Sequence, residues 1–270
     1  MRTVLAAIDN SAAARPVLAA AAAFADLLHV EVAAVHVRED GDRSARAAAA
    51  VAGVPLRVTT APVISALSAS AQEVGVATLV LGARAVGAAR RPAGHVALEL
   101  AVSLPKPLVV VPPEAAVPMV FRRILVPLSG EGTAAAALAE TMSLAREREL
   151  EVVVLHVYDP VSLPLFTDQP QHELETWSQE FLRRHCPHPE HVRLEMRIGI
   201  PGQHVLQVAD KVEADMIALG WSQELGGGHA AVVREVLERS ALPVLLVPVA
   251  ARPNATGAPR LSGVGAHAGG

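Results

Sequence analysis

The chain has 270 residues, 51% of them hydrophobic, enough for two compact domains that each bury a core. Aromatic residues make up only 3%, so those cores are built from Ala, Val and Leu, which suits helices laid closely on a Val- and Leu-rich sheet. A net charge of -4 without a basic half excludes a nucleic-acid platform, and the single cysteine, Cys186, excludes an intrachain disulfide and fits a reducing compartment.

Met1 to Ala7 reads as a first β-strand, because Asp9 interrupts the apolar run before a signal-peptide core can form; a cytoplasmic protein is expected. An Ala-rich amphipathic helix near 12 to 28 follows. Its longest apolar run, Pro16 to Ala25 between Arg15 and Asp26, falls well short of the ~20 residues of a membrane helix, so a soluble chain with no membrane partner is expected. The second strand, Val30 to Val37, ends in His36-Val37, and Arg38 to Gly53 is a polar, Ala-rich excursion. Val76 to Gly82 is a further strand, whose Gly82 opens a loop running through Arg84, Gly87, Arg90, Arg91 and Gly94 to His95, where a helix begins. Pro107 to Pro112 is a continuous apolar run of the kind found in strands covered on both faces.

The same series then recurs. Arg123 to Ser129 echoes Thr3 to Asp9, a helix near 132 to 149 follows, and Leu150 to Tyr158 contains His156-Val157. Asp159 to Pro189 is the longer counterpart of the polar excursion. Ala214 to Gly220 matches Val76 to Gly82, Gly228-His229 matches Gly94-His95, and Pro243 to Pro248 matches Pro107 to Pro112. Each half therefore reads β-α-β-α-β-α-β-α-β, which with right-handed crossovers gives two doubly wound five-stranded parallel sheets. The expected organisation is a domain at 1–113, a Pro- and Ala-rich linker at 114–120, a second domain at 121–249 and a disordered tail at 250–270.

Open α/β sheets bind ligands beyond the carboxyl ends of their strands, where the strand order reverses. In the first half that crevice would bring Asp9 to face the loop from Gly82 to His95. This loop can present backbone N–H groups and the arginines Arg84, Arg90 and Arg91 to a phosphate, or its glycines can serve tight turns alone. The second loop, from Gly220 to His229, has more glycine but Glu224 in place of the arginines. Trp221 is placed either to stack on a base or to pack locally. His95 and His229 stand where helices start, able to meet a phosphate or ribose, or to cap the helix.

Other chemistries lack their residues. No Gly-x-x-x-x-Gly-Lys-[Ser/Thr], Gly-x-Gly-x-x-Gly, His-Glu-x-x-His or Gly-x-Ser-x-Gly occurs, so no catalytic residue set is assigned. His185-Cys186-Pro187-His188-Pro189-Glu190-His191 holds three imidazoles and a thiol, but its spacing fits no common zinc pattern, and a surface turn without metal is expected.

In order, the strand-one Asp, the strand-two His-Val, the glycine loop and the Pro-bounded apolar fifth strand resemble the universal stress protein family over about 1 to 113 and 121 to 249. The resemblance implies strand order 3-2-1-4-5 in each half and an ATP or AMP site, with Mg as a possible companion. It points to Asp9, Val37, Gly82, Arg84, Gly87, Gly94 and His95, and to a weaker second site at Val157, Gly220, Gly228 and His229. Ala85 and Gln223 stand where the family's loop has its second glycine, and Ser129 stands where the second half should have Asp. The family's fifth strands pair between subunits, so this chain resembles such a dimer fused into one, with a further copy free to form a homodimer. The expected function is nucleotide-responsive stress signalling through an unknown protein partner. The alternatives are a nucleotide-independent interaction module and a slow ATP-hydrolysing enzyme.

Overall fold

The computed structural model describes residues 2–38, 41–83, 95–158, 170–224, 226 and 228–249. The first half runs β1 (Thr3–Ala7), α1 (Ala14–Leu28), β2 (Glu31–Val37), α2 (Arg43–Ala52), β3 (Leu56–Thr59), α3 (Val63–Gln72), β4 (Val76–Gly82), α4 (His95–Ser103) and β5 (Leu108–Val111). The second half runs β6 (Arg123–Pro127), α5 (Gly132–Glu147), β7 (Glu151–Tyr158), α6 (Pro170–His185), β8 (Val192–Ile198), α7 (Pro201–Lys211), β9 (Met216–Trp221), α8 (Gly228–Arg239) and β10 (Val244–Pro248). No helix of the described residues is long and apolar enough to cross a membrane.

The strands form one sheet in the order β3-β2-β1-β4-β5-β10-β9-β6-β7-β8. The expected pair of five-stranded sheets is corrected to one ten-stranded sheet, joined through the fifth strands as the resemblance implies. β5 and β10 pair antiparallel, with Val110 opposite Val244, Val109 opposite Leu245 and Leu108 opposite Leu246. The ladders within each half are parallel. The reason lies in the edges: an apolar edge strand leaves its N–H and C=O groups unpaired, and each half supplies one.

Helices cover both faces. One core packs α1, α2, α5 and α6 on the sheet and draws Val109, Val111 and Leu245 from the central pair of strands. The other packs α3, α4, α7 and α8 and draws Leu108, Val110, Val244 and Leu246. Each core therefore crosses the seam between the halves without interruption. The segment read as a linker is tied down as well, since Ala115 and Val117 pack on the first core and Phe121 meets Phe24 of α1 edge to face at 5.0 Å.

The outer edge at β8 is guarded by charge. Glu195, buried beneath it, accepts from Arg193, Arg197 and Lys211 at 2.5, 2.7 and 3.3 Å. An edge laced with ion pairs resists pairing with another chain.

Candidate functional site

The switch point in each half lies where β1 and β4, or β6 and β9, send their chains to opposite faces. β2 stays paired with β1 only as far as Ala7 opposite Val35, then overhangs it to Val37. β7 overhangs β6 in the same way, from Leu155 to Tyr158. These overhangs wall one side of each crevice and put Val37 and Val157 on their rims.

The strand-two histidine clasps each crevice floor. His36 Nδ1 lies 2.9 Å from Ile8 O, and His156 Nδ1 lies 2.9 Å from Leu128 O, at the same separation along the chain. His36 Nε2 also meets Gly41 O at 3.0 Å, and Asn10 Nδ2 donates to that oxygen at 3.1 Å. The end of β1 is thereby fixed beneath the β2–α2 turn. Asp9 follows directly, partly buried, and its Oδ1 accepts from the Ser11 backbone N–H at 2.9 Å and from Ser11 Oγ at 2.5 Å. Among the described residues Oδ2 has no partner. Gly82 ends β4 beside this position and His95 opens α4, its Nε2 2.9 Å from Glu99 Oε2. Arg84, Gly87, Arg90, Arg91 and Gly94 lie outside the described residues.

In the second crevice the strand ladder ends early, and one residue explains it. Where Ala7 pairs with Leu81 in the first half, the second half has Pro127, which has no N–H for a ladder bond. The β6–β9 ladder accordingly stops at Leu125 opposite Ile217. Beyond it lies a cavity of about 360 Å³, walled by Leu155, Val157, Val205 and Leu219 with Ser129 at one side and Glu235 at another. Gly220 belongs to this wall because α5 crosses close by, and a Cβ there would press on Ala134 at 3.4 Å. Gly202, in the first turn of α7, leaves no room for a Cβ beneath the Glu235 carboxylate. Gly228 and His229 open α8, and their side chains lie outside the described ones.

The loop leaving β9 is committed elsewhere. Trp221 is 1% exposed, and its Nε1 donates to Ala101 O of α4 at 2.8 Å. Gln223, held at φ 61°, donates through Nε2 to Leu104 O at 2.7 Å. Both cap the carbonyl end of a first-half helix, so of the two readings open for Trp221 the packing one holds, across the halves rather than locally. The first half has alanine at both matching positions, Ala83 and Ala85.

A third cluster went unread in the sequence, although three of the chain's scarce aromatic residues, Tyr158, Trp177 and Phe181, gather there. His156 packs against Tyr158, Trp177 and Phe181, and Phe181 against His185, with centroid distances of 4.6 to 6.3 Å. The His-Cys segment corrects its expectation in part. His185 and Cys186 are buried at the end of α6, while His188 and His191 turn outward beside Glu190 at 3.9 and 3.7 Å, so a surface turn describes only its second portion. No group of three or more His, Cys, Asp or Glu among the described residues converges as metal ligands do. Burial pushes the Cys186 thiol up to about 11, which keeps it an unreactive thiol.

His185 carries a pH dependence. Burial holds its imidazole below the ordinary 6.5, with the Arg184 guanidinium and His156 adding to the effect, and its Nδ1 has no partner. Because the folded value is the lower one, the unfolded chain takes up the proton first; stability is full above about 6.5 and falls as pH drops below it. His185→Phe should flatten that fall. Urea midpoints at pH 7.5, 6.5 and 5.5 check it, and parallel curves for the two proteins would remove His185 as the cause.

Fold and crevices together define a doubly wound α/β protein with a crevice at each switch point. Residues 120–248 match the model of the universal stress protein family. A universal stress protein of Methanocaldococcus jannaschii is 25% identical over 139 residues, spanning 47% of this chain and 82% of that one. The crystal structure of a universal stress protein from Archaeoglobus fulgidus superposes with a TM-score of 0.62 at 17% identity, covering 92% of this chain and 96% of that one. A functionally unknown protein from Pseudomonas aeruginosa gives a TM-score of 0.67 at 14% identity, over 92% and 93%. Both structures show that the ten-stranded arrangement is a fold shared over nearly the whole chain.

Proposed function

We propose that the chain is a tandem of two universal stress protein domains, 1–113 and 121–249, acting as a cytoplasmic stress-response or signalling protein. It binds an adenine nucleotide, ATP or AMP, with or without Mg, in the crevice of the first half. The observation carrying this reading is the unequal use of the two loops. The second-half loop spends Trp221 and Gln223 on capping α4, and Ser129 replaces the carboxylate there. The first half keeps Asp9, whose Oδ2 has no partner among the described residues and suits a ribose or base donor, Val37 on the rim, and a loop whose Gly82, Arg84, Gly87, Gly94 and His95 suit phosphate. The role is binding that alters contact with a protein partner rather than turnover.

A carboxylate bonded to a buried ligand is worth about 1.5 to 3 kcal/mol, so Asp9→Ala should weaken nucleotide affinity by about tenfold or more. Ser129→Ala should leave it unchanged. Calorimetric titration of both variants with ATP and AMP tests this, and equal losses, or a loss from Ser129→Ala alone, refute the asymmetry. A second reading, a nucleotide-independent interaction module, is favoured by the engagement of Asp9 Oδ1 with Ser11. Wild-type protein that binds neither nucleotide would establish it.

A further inference from the structure

We infer that the second-half crevice takes an uncharged, largely apolar small molecule carrying a hydrogen-bond donor, and rejects phosphate-bearing ones. This goes beyond the nucleotide reading, which concerns the other half. The cavity of about 360 Å³ lies within the usual span of ligand pockets, roughly 300 to 1,000 Å³, and its walls are aliphatic. No cation among the described residues lines it.

Among the described residues its one carboxylate is Glu235. Oε1 of that carboxylate accepts from Arg239 at 2.8 Å, which balances the charge. Oε2 lies over Gly202 in the first turn of α7, where the helix dipole favours an anion. The protein's own carboxylate thus answers the helix end and would repel a phosphate brought beside it. The bond it still offers is as an acceptor, which a hydroxyl or amide N–H on the ligand would satisfy. Trp221 and Gln223, bonded to α4, are not free to enclose a phosphate from the opposite side.

Octan-1-ol and octyl phosphate, which share a chain and differ in the head group, are the probes for calorimetric titration of the whole protein. Octan-1-ol should bind one equivalent at least tenfold more tightly than octyl phosphate. Val157→Trp, which fills the rim of the cavity, should weaken octanol binding at least tenfold. Val232→Trp on α8 fills the same space and replaces it where the strand variant fails to fold. Octyl phosphate binding as tightly as octanol, no octanol binding by wild type, or octanol affinity unaffected by the filling variant would overturn the inference. A protein that binds octanol in this way but no ATP would refute the nucleotide reading and leave this one standing.

Discussion

Trp221→Ala should cost about 4 kcal/mol of stability, the largest loss expected from any single truncation in the second half. The indole is buried among apolar residues shared by both halves, and its Nε1 satisfies a carbonyl at the end of α4. Removing it leaves a cavity at the junction and withdraws a hydrogen bond from Ala101 O. For a chain of this length the melting temperature should fall by roughly 10 °C. Fluorescence offers a second readout, since the remaining indole, Trp177, is 40% exposed and emits from a more polar setting. Loss of the blue-shifted emission with less than about 1 kcal/mol of destabilisation would show that Trp221 is buried without holding the halves together.

Val109→Glu combined with Leu245→Glu should be worse, by several kcal/mol more, because it opposes two carboxylates at registered positions that exclude water. The covalent link prevents the halves from separating, so the expected signs are a lower urea midpoint and a larger hydrodynamic radius. Val109→Glu with Leu245→Lys should recover part of the loss by pairing opposite charges across the same register. A double-Glu variant with the midpoint and radius of wild type would mean that β5 and β10 do not hold the halves together.

Much of the plan is legible because strands and helices leave local signatures. The Val- and Leu-rich runs at 108–111 and 244–247, the His-Val ends of β2 and β7, and the recurrence of the elements in the same order along the second half all depend on neighbours in sequence. The joining of the halves through their apolar fifth strands is also legible, as an implication of the family resemblance; that the two strands run antiparallel with Val109 opposite Leu245 is not, since these residues lie far apart in the chain. Gln223 reads as a lost glycine from sequence alone; that its amide caps α4 depends on a contact 119 residues away. Pro127 was visible throughout. Its meaning, a missing donor that opens β6 from β9, required knowing which neighbour its nitrogen faces. The aromatic cluster around His156 escaped notice because α6 and β7 are brought together only by the fold.

Joining both halves in one polypeptide frees each from copying the other. In an assembly of two identical chains about a twofold axis, every substitution is made twice and every contact across the axis occurs in duplicate. A tryptophan reaching over to cap the opposite helix would there have to be accommodated on both sides, each crevice loop surrendered together. Here the matching position holds Ala83, so Trp221 braces the opposite helix without a reciprocal contact from the first half. A brace that runs one way only requires two halves that differ in sequence, which no pair of identical chains supplies.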